Sequence, residues 1–155
     1  MKILIQYSEY SIKYNYYKCK ELLKSNSNYE FGLIGNNETG KKYLDSKEKI
    51  FKQYIPLDSN KFTPTGNIDF DALQNFEKYS NLGSIWNSIA SDRSLGSKFS
   101  SGSIGFNKNR LSLSRNNILE YYAELIKSYE KIFNEFNPDI FVPAIAMGDI
   151  GLKIF

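Results

Sequence analysis

Two carboxylates stand in turns where a side chain can take a proton from a substrate hydroxyl. Glu9 lies in Ser8-Glu9-Tyr10 directly after an apolar run, and Asp149 follows Gly148 after another. A carboxylate so placed can act as a general base while the hydroxyl oxygen attacks. A solvated turn or a helix cap also explains each of them taken alone, and sequence separation sets no distance between the two. Other catalytic groups are scarce. The 155 residues include no histidine and one cysteine, Cys19. Histidine triads and histidine bases are excluded, an all-protein zinc site is nearly so, and no intrachain disulfide can form. Nothing calls for a metal or a cofactor bound by this chain, so any catalysis rests on Asp, Glu, Lys, Tyr or Ser.

A second set of residues is suited to anions. In Asp92-Arg93 the guanidinium can grip a phosphate or carboxylate through two parallel hydrogen bonds. The plain alternative is a helix end, where a cation is favourable at the negative pole. From Arg93 to Leu119 there are five basic residues, Arg93, Lys98, Lys108, Arg110 and Arg115, and no acidic one. The whole chain carries +3, so the remainder carries −2. Such local basicity argues against a general nucleic-acid binder and for one segment facing an anion or a surface. An anionic membrane surface, a phosphorylated lipid acceptor and single-stranded nucleic acid are each electrostatically admissible there, as is a solvated loop.

The run Gly35-Asn36-Asn37-Glu38-Thr39-Gly40-Lys41-Lys42 matches GxxxxGK. A phosphate-binding loop wants backbone N–H groups around the phosphate, a lysine, and then a Ser or Thr for Mg²⁺. Here Lys42 replaces that hydroxyl, Glu38 brings a negative charge, and the match follows the second strand rather than the first. A polar turn opening an amphipathic helix explains the same residues. No GxGxxG fingerprint follows the first strand.

These residues depend on elements that place them. Lys2–Tyr7 is an apolar run of strand length, and Ser11 is positioned to cap the helix that Ile12, Tyr16, Cys19, Leu22 and Leu23 announce. Cys19 lies on that stripe and is read as a small buried residue. Tyr29–Ile34 reads as a strand, Lys41–Ser46 as part of a short helix, and Ile50–Ile55 as a strand stopped by Pro56. Strand, helix, strand, helix, strand predicts an α/β, Rossmann-like fold with a mainly parallel sheet and helices on both faces. Helices follow over Asp69–Tyr79 and Leu82–Ser91, and then a Ser/Gly/Asn-rich basic loop over about 94–114, expected to be mobile. A long stripe from Ile118 to Phe136 ends at Asn137-Pro138-Asp139, before a strand over Ile140–Ala146. In such a sheet the crevice lies beyond the carboxyl ends of the strands, which brings Ser8, Glu9 and Tyr10 to one edge with Gly148 and Asp149. The tyrosines fall mostly at helix or strand spacing and are read as core.

The chain is expected to form one domain over residues 1–155, cut short after its fourth main strand, because Leu152-Lys153-Ile154-Phe155 begins a helix that does not continue. A cytoplasmic location is the default reading, since no apolar run approaches the length of a membrane span or signal peptide.

Taken in order, these residues resemble the N-terminal half of GT-B-type, glycosyltransferase-like proteins of bacterial capsule and surface polysaccharide biosynthesis. The likeness is carried by Met1-Lys2-Ile3-Leu4-Ile5, by Leu82-Gly83-Ser84-Ile85-Trp86 leading to Ala90-Ser91-Asp92-Arg93, and by Phe133 through Asp139 before Ile140-Phe141-Val142-Pro143. The resemblance implies an acceptor-side Rossmann-like domain, with a sugar nucleotide as donor substrate held by a C-terminal domain that this chain lacks. It implies that Arg93 faces the cleft, that a glycan or lipid-linked acceptor is the partner, and that this chain alone is inactive. A peripheral position at the inner face of the membrane would suit the basic segment. Two other classes stay open: a non-catalytic α/β interaction or regulatory module joined to a partner chain through its last strand, and a nucleotide-binding protein using Gly35–Lys42.

Overall fold

Four short apolar runs become the strands of one parallel sheet. The computed structural model describes residues 1–7, 11–35, 38–56, 62–80, 84–91 and 114–144. In chain order these give β1 (Lys2–Gln6), α1 (Ile12–Ser25), β2 (Glu30–Gly35), α2 (Glu38–Asp45) and β3 (Phe51–Pro56), then α3 (Phe70–Ser80), α4 (Ile85–Ser91), α5 (Arg115–Phe136) and β4 (Ile140–Val142). The chain divides into a sheet unit, Met1–Lys61 with Ile132–Ala144, and a helical unit, Phe62–Lys131 with Ile145–Phe155.

The sheet has the order β3-β2-β1-β4, all parallel. The predicted α/β, Rossmann-like class is what the structure has. Strand alternation sends Ile3, Ile5 and Tyr7 to one face, where they join Phe31, Leu33 and Phe51 and meet Ile12, Tyr16 and Cys19 of α1. The opposite face carries Leu4 beside Gly32, and the Phe136 ring at the end of α5 lies so close that a Cβ on Gly32 would come within 2.8 Å of it. Helices therefore cover both faces. A sheet buried on both sides needs near-continuous apolar strands, and ILI in β1 and FGLI in β2 supply them.

Sequence chemistry also fixes how β4 joins. Asn137 adopts a left-handed φ of 48°, which ends α5, and its N–H still reaches Phe133 O at 2.8 Å. Asp139 then exchanges two bonds with Lys2: Lys2 N–H donates to Asp139 Oδ2 at 2.7 Å, and Asp139 N–H donates to Lys2 O at 2.9 Å. The pairing Ile3 with Ile140 follows directly.

One local expectation fails. Ser11 precedes α1 but sits in the helical backbone region and makes no side-chain cap; its Oγ instead accepts from Asn15 Nδ2 at 3.4 Å. A cap needs extended backbone to aim its oxygen at the free N–H groups, and Ser11 lacks it. Tyr14, Tyr17 and Tyr79 are also exposed rather than core.

In the helical unit, the Phe76 ring meets Tyr122 and Tyr79 edge to face. Polar groups set the helix ends and crossings. Glu77 accepts from the Ile85 N–H that opens α4, Tyr122 Oη donates to the buried Ser88 Oγ, and Tyr79 Oη donates to Glu130 at 3.0 Å. Among the described residues no helix is long and apolar enough to cross a membrane.

Candidate functional site

Strand order locates the first candidate site. β1 has β2 on one side and β4 on the other, and the connections leave on opposite faces of the sheet. That is the reversal point at which parallel α/β sheets open a crevice beyond the carboxyl ends of their strands. Tyr7 directly follows β1 here, and Pro143-Ala144 follow β4. Of the residues singled out from sequence, Ser8, Glu9, Tyr10, Gly148 and Asp149 belong to the segments that follow these two strands and lie outside the described residues. Asp92, Arg93, Lys98 and Arg110 lie outside them as well, as do residues 94–113 of the basic loop. Arg115 is described, exposed at the first residue of α5.

The GxxxxGK run has a packing role that the motif alone does not reveal. Tyr7 is buried, and its ring fills the space a side chain on Gly35 would need. A Cβ on Gly40 would come 2.6 Å from the same hydroxyl. That hydroxyl is 3.0 Å from Tyr54 Oη, which also donates to Gly35 O at 3.3 Å. The two glycines thus admit one tyrosine between β2 and α2. Lys41 and Lys42 are exposed, and 36–37 lie outside the described residues. Cys19 sits in the same apolar layer, and burial pushes its thiol up to about 12, far from reactive thiolate chemistry.

A second site was not found from sequence. Glu120, Glu124 and Lys127 recur at i, i+4 and i+7 on the face of α5 away from its apolar stripe, a pattern that reads as solvated. Glu120 is instead buried, 3% exposed. Its carboxylate is wrapped by the segment before α3: Thr65 donates from N at 2.7 Å and from Oγ1 at 2.5 Å, and Gly66 N–H donates at 3.1 Å. The Thr65 hydroxyl first, and then the backbone N–H groups, hold the Glu120 carboxyl below the usual carboxylate range. Gly66 makes the wrap possible with φ of 84°, in open space, so the backbone and not crowding demands glycine.

Beside this cradle, Lys127 bridges Asp69 at 3.1 Å and Glu124 at 2.8 Å. Asp69 also caps α3, accepting from Ala72 N–H at 3.0 Å, and that bond, then Lys127, lowers its pKa. Glu124 and then Asp69 raise that of Lys127. Together with Phe62, Thr63 and Asn67 these groups line an open groove of ≈530 Å³ within the helical unit. The signal that could have found it is Thr65-Gly66-Asn67: a short polar turn with glycine presents successive N–H groups to an anion. Its carboxylate lies 55 residues further on.

The four-stranded parallel sheet with its helices gives this chain a Rossmann-like α/β fold. In comparisons with known proteins it matches no family model, no curated protein and no solved structure.

Proposed function

We propose that this chain is the acceptor-side domain of a glycosyltransferase-like protein of surface polysaccharide biosynthesis, using the crevice at the carboxyl ends of β1 and β4. The single observation that supports the reading is the parallel order β3-β2-β1-β4, with its reversal point between β1 and β4. In this proposal Glu9 or Asp149 takes the proton of the acceptor hydroxyl. The freed oxygen then bonds to the anomeric carbon as the bond to the nucleoside diphosphate breaks. The pair Asp92-Arg93 binds substrate, Arg93 gripping phosphate, while Lys98, Arg110 and Arg115 attract a lipid-linked or otherwise anionic acceptor. The same proposal gives Ser8, Tyr10 and Gly148 to substrate binding. The donor sugar nucleotide belongs to a further domain or partner chain.

Acceptor binding tests the proposal. Titration with lipid-linked and free glycans should give saturable affinity that falls with Arg93→Ala and Asp149→Asn, and no turnover of sugar nucleotide by residues 1–155. Robust transfer by this chain alone, or affinity indifferent to both substitutions, overturns it.

A second reading, a non-catalytic module that pairs through its last strand, draws on one observation. Among the described residues β4 is an edge of the sheet, with Ile140 and Val142 40% and 42% exposed, and an open edge invites strand addition. Concentration-dependent dimerisation lost on Val142→Lys, without glycan affinity, would favour it.

A further inference from the structure

We propose that the groove over the polar stripe of α5 binds a neutral polyhydroxyl ligand, a sugar unit of the acceptor; the word acceptor rests on the transferase reading, the binding chemistry does not. The balance of charge selects the class. The Glu120 charge is already met by the Thr65–Gly66 cradle. Asp69 and Glu124 against Lys127 leave one negative charge, which repels anions, and the ammonium between them opposes a cation. A neutral ligand rich in hydroxyls meets neither obstacle.

The bonding capacity agrees. Among the described residues, the second oxygen of Glu124, the Thr63 hydroxyl and the Asn67 carboxamide have no hydrogen-bond partner. Lys127 has used two of its three protons. The groove thus offers donors and acceptors side by side, which vicinal hydroxyls need. Phe62, set edge to face against Tyr121 at 5.2 Å, adds an apolar wall for the C–H face of a sugar ring. A volume of ≈530 Å³ falls within the range of about 300–1,000 Å³ usual for small-ligand sites. The buried Glu120 fixes the loop that carries Thr63 and Asn67, so little ordering is left for the ligand to impose.

The test is amide NMR of the 155-residue chain titrated with methyl glycosides of glucose, galactose, N-acetylglucosamine and rhamnose, and with phosphate. Saturable shifts with at least one glycoside are expected at Thr63, Thr65, Gly66, Asn67 and Glu124, and none with phosphate. Glu124→Gln and Phe62→Ala should each weaken binding about fivefold, the value of one hydrogen bond or a comparable contact. Glu124 is exposed, so its variant carries the test if Phe62→Ala unfolds. No saturable shift with any glycoside, an equal response to phosphate, or affinity unchanged in Glu124→Gln overturns the site. Shifts here, with glycan affinity indifferent to Arg93→Ala and Asp149→Asn, would sink the transferase reading and leave this site standing. Glycan affinity that needs Arg93, with no response at Thr63–Asn67, would do the reverse.

Discussion

Different forces stabilise the interior of the sheet unit and that of the helical unit. In the sheet unit the core contacts are apolar: Leu4, Phe31, Leu33 and Ile34 are fully buried, and glycines at 32, 35 and 40 leave room for aromatic rings. In the helical unit an apolar stripe is supplemented by carboxylates, with Glu120, Glu77 and Asp69 each accepting backbone N–H groups from a segment far along the chain or at a helix start. Glycine shows the contrast in miniature. Gly35 is needed for space and Gly66 for backbone conformation. Apolar packing depends on volume and little on pH, whereas a carboxylate cradle depends on ionisation.

The largest effect should come from emptying the sheet core. Phe31→Ala removes a ring with no exposed surface and is expected to cost about 3–5 kcal/mol, read by urea unfolding. A cost below about 1 kcal/mol would mean that packing does not dominate this unit. Next, Gly35→Ala should lose about 1–3 kcal/mol by collision with Tyr7. Adding Tyr7→Leu should restore part of it; strict additivity would show that the two residues do not share that space. Gly66→Ala has nothing to collide with, so only the left-handed backbone opposes it, at about 1–2 kcal/mol. Tyr7→Leu should give that variant no relief.

The acid response should separate the two units. The carboxyls of Glu120 and Asp69 are held below their ordinary range, so their contribution is present above the unfolded-state values and is lost as pH falls through the lower folded ones. Protection of amides from exchange, relative to their intrinsic rates, should fall there in α3 and the first turns of α5 before it falls in β1 and β2. Glu120→Gln should flatten the trend, and equal sensitivity of both units would erase the distinction. The smallest effect expected is none at all: Cys19, sealed in the sheet core, should resist iodoacetamide at neutral pH until the chain is denatured. Prompt labelling would show that the core opens readily.

Much of the fold could be read in advance because its signals are local. ILI and FGLI mark strands by run length and the polar turns that bound them, the stripe from Ile118 to Phe136 marks a helix by its period, and Asn137-Pro138-Asp139 stops α5 where expected. The failures involved partners. Ser11 looks like a cap by residue type, but its backbone conformation decides otherwise. Gly35 and Gly40 match a short motif, but nothing in the sequence announces the Tyr7 ring that lies against both. Glu120 carries no local signal at all, since nothing near it in sequence marks the turn 55 residues earlier that buries it.

The amino-acid sequence by itself determined the run of strands and helices, the apolar layer around Cys19 and the scarcity of catalytic side chains, because each follows from residue type and short-range period. The tertiary structure alone decided that β4 pairs with β1, that a tyrosine occupies the glycine loop, and that a carboxylate on a polar helix face is the anchor of a distant turn. Those outcomes depend on which segments come within a few ångströms of each other, and no local pattern contains that distance.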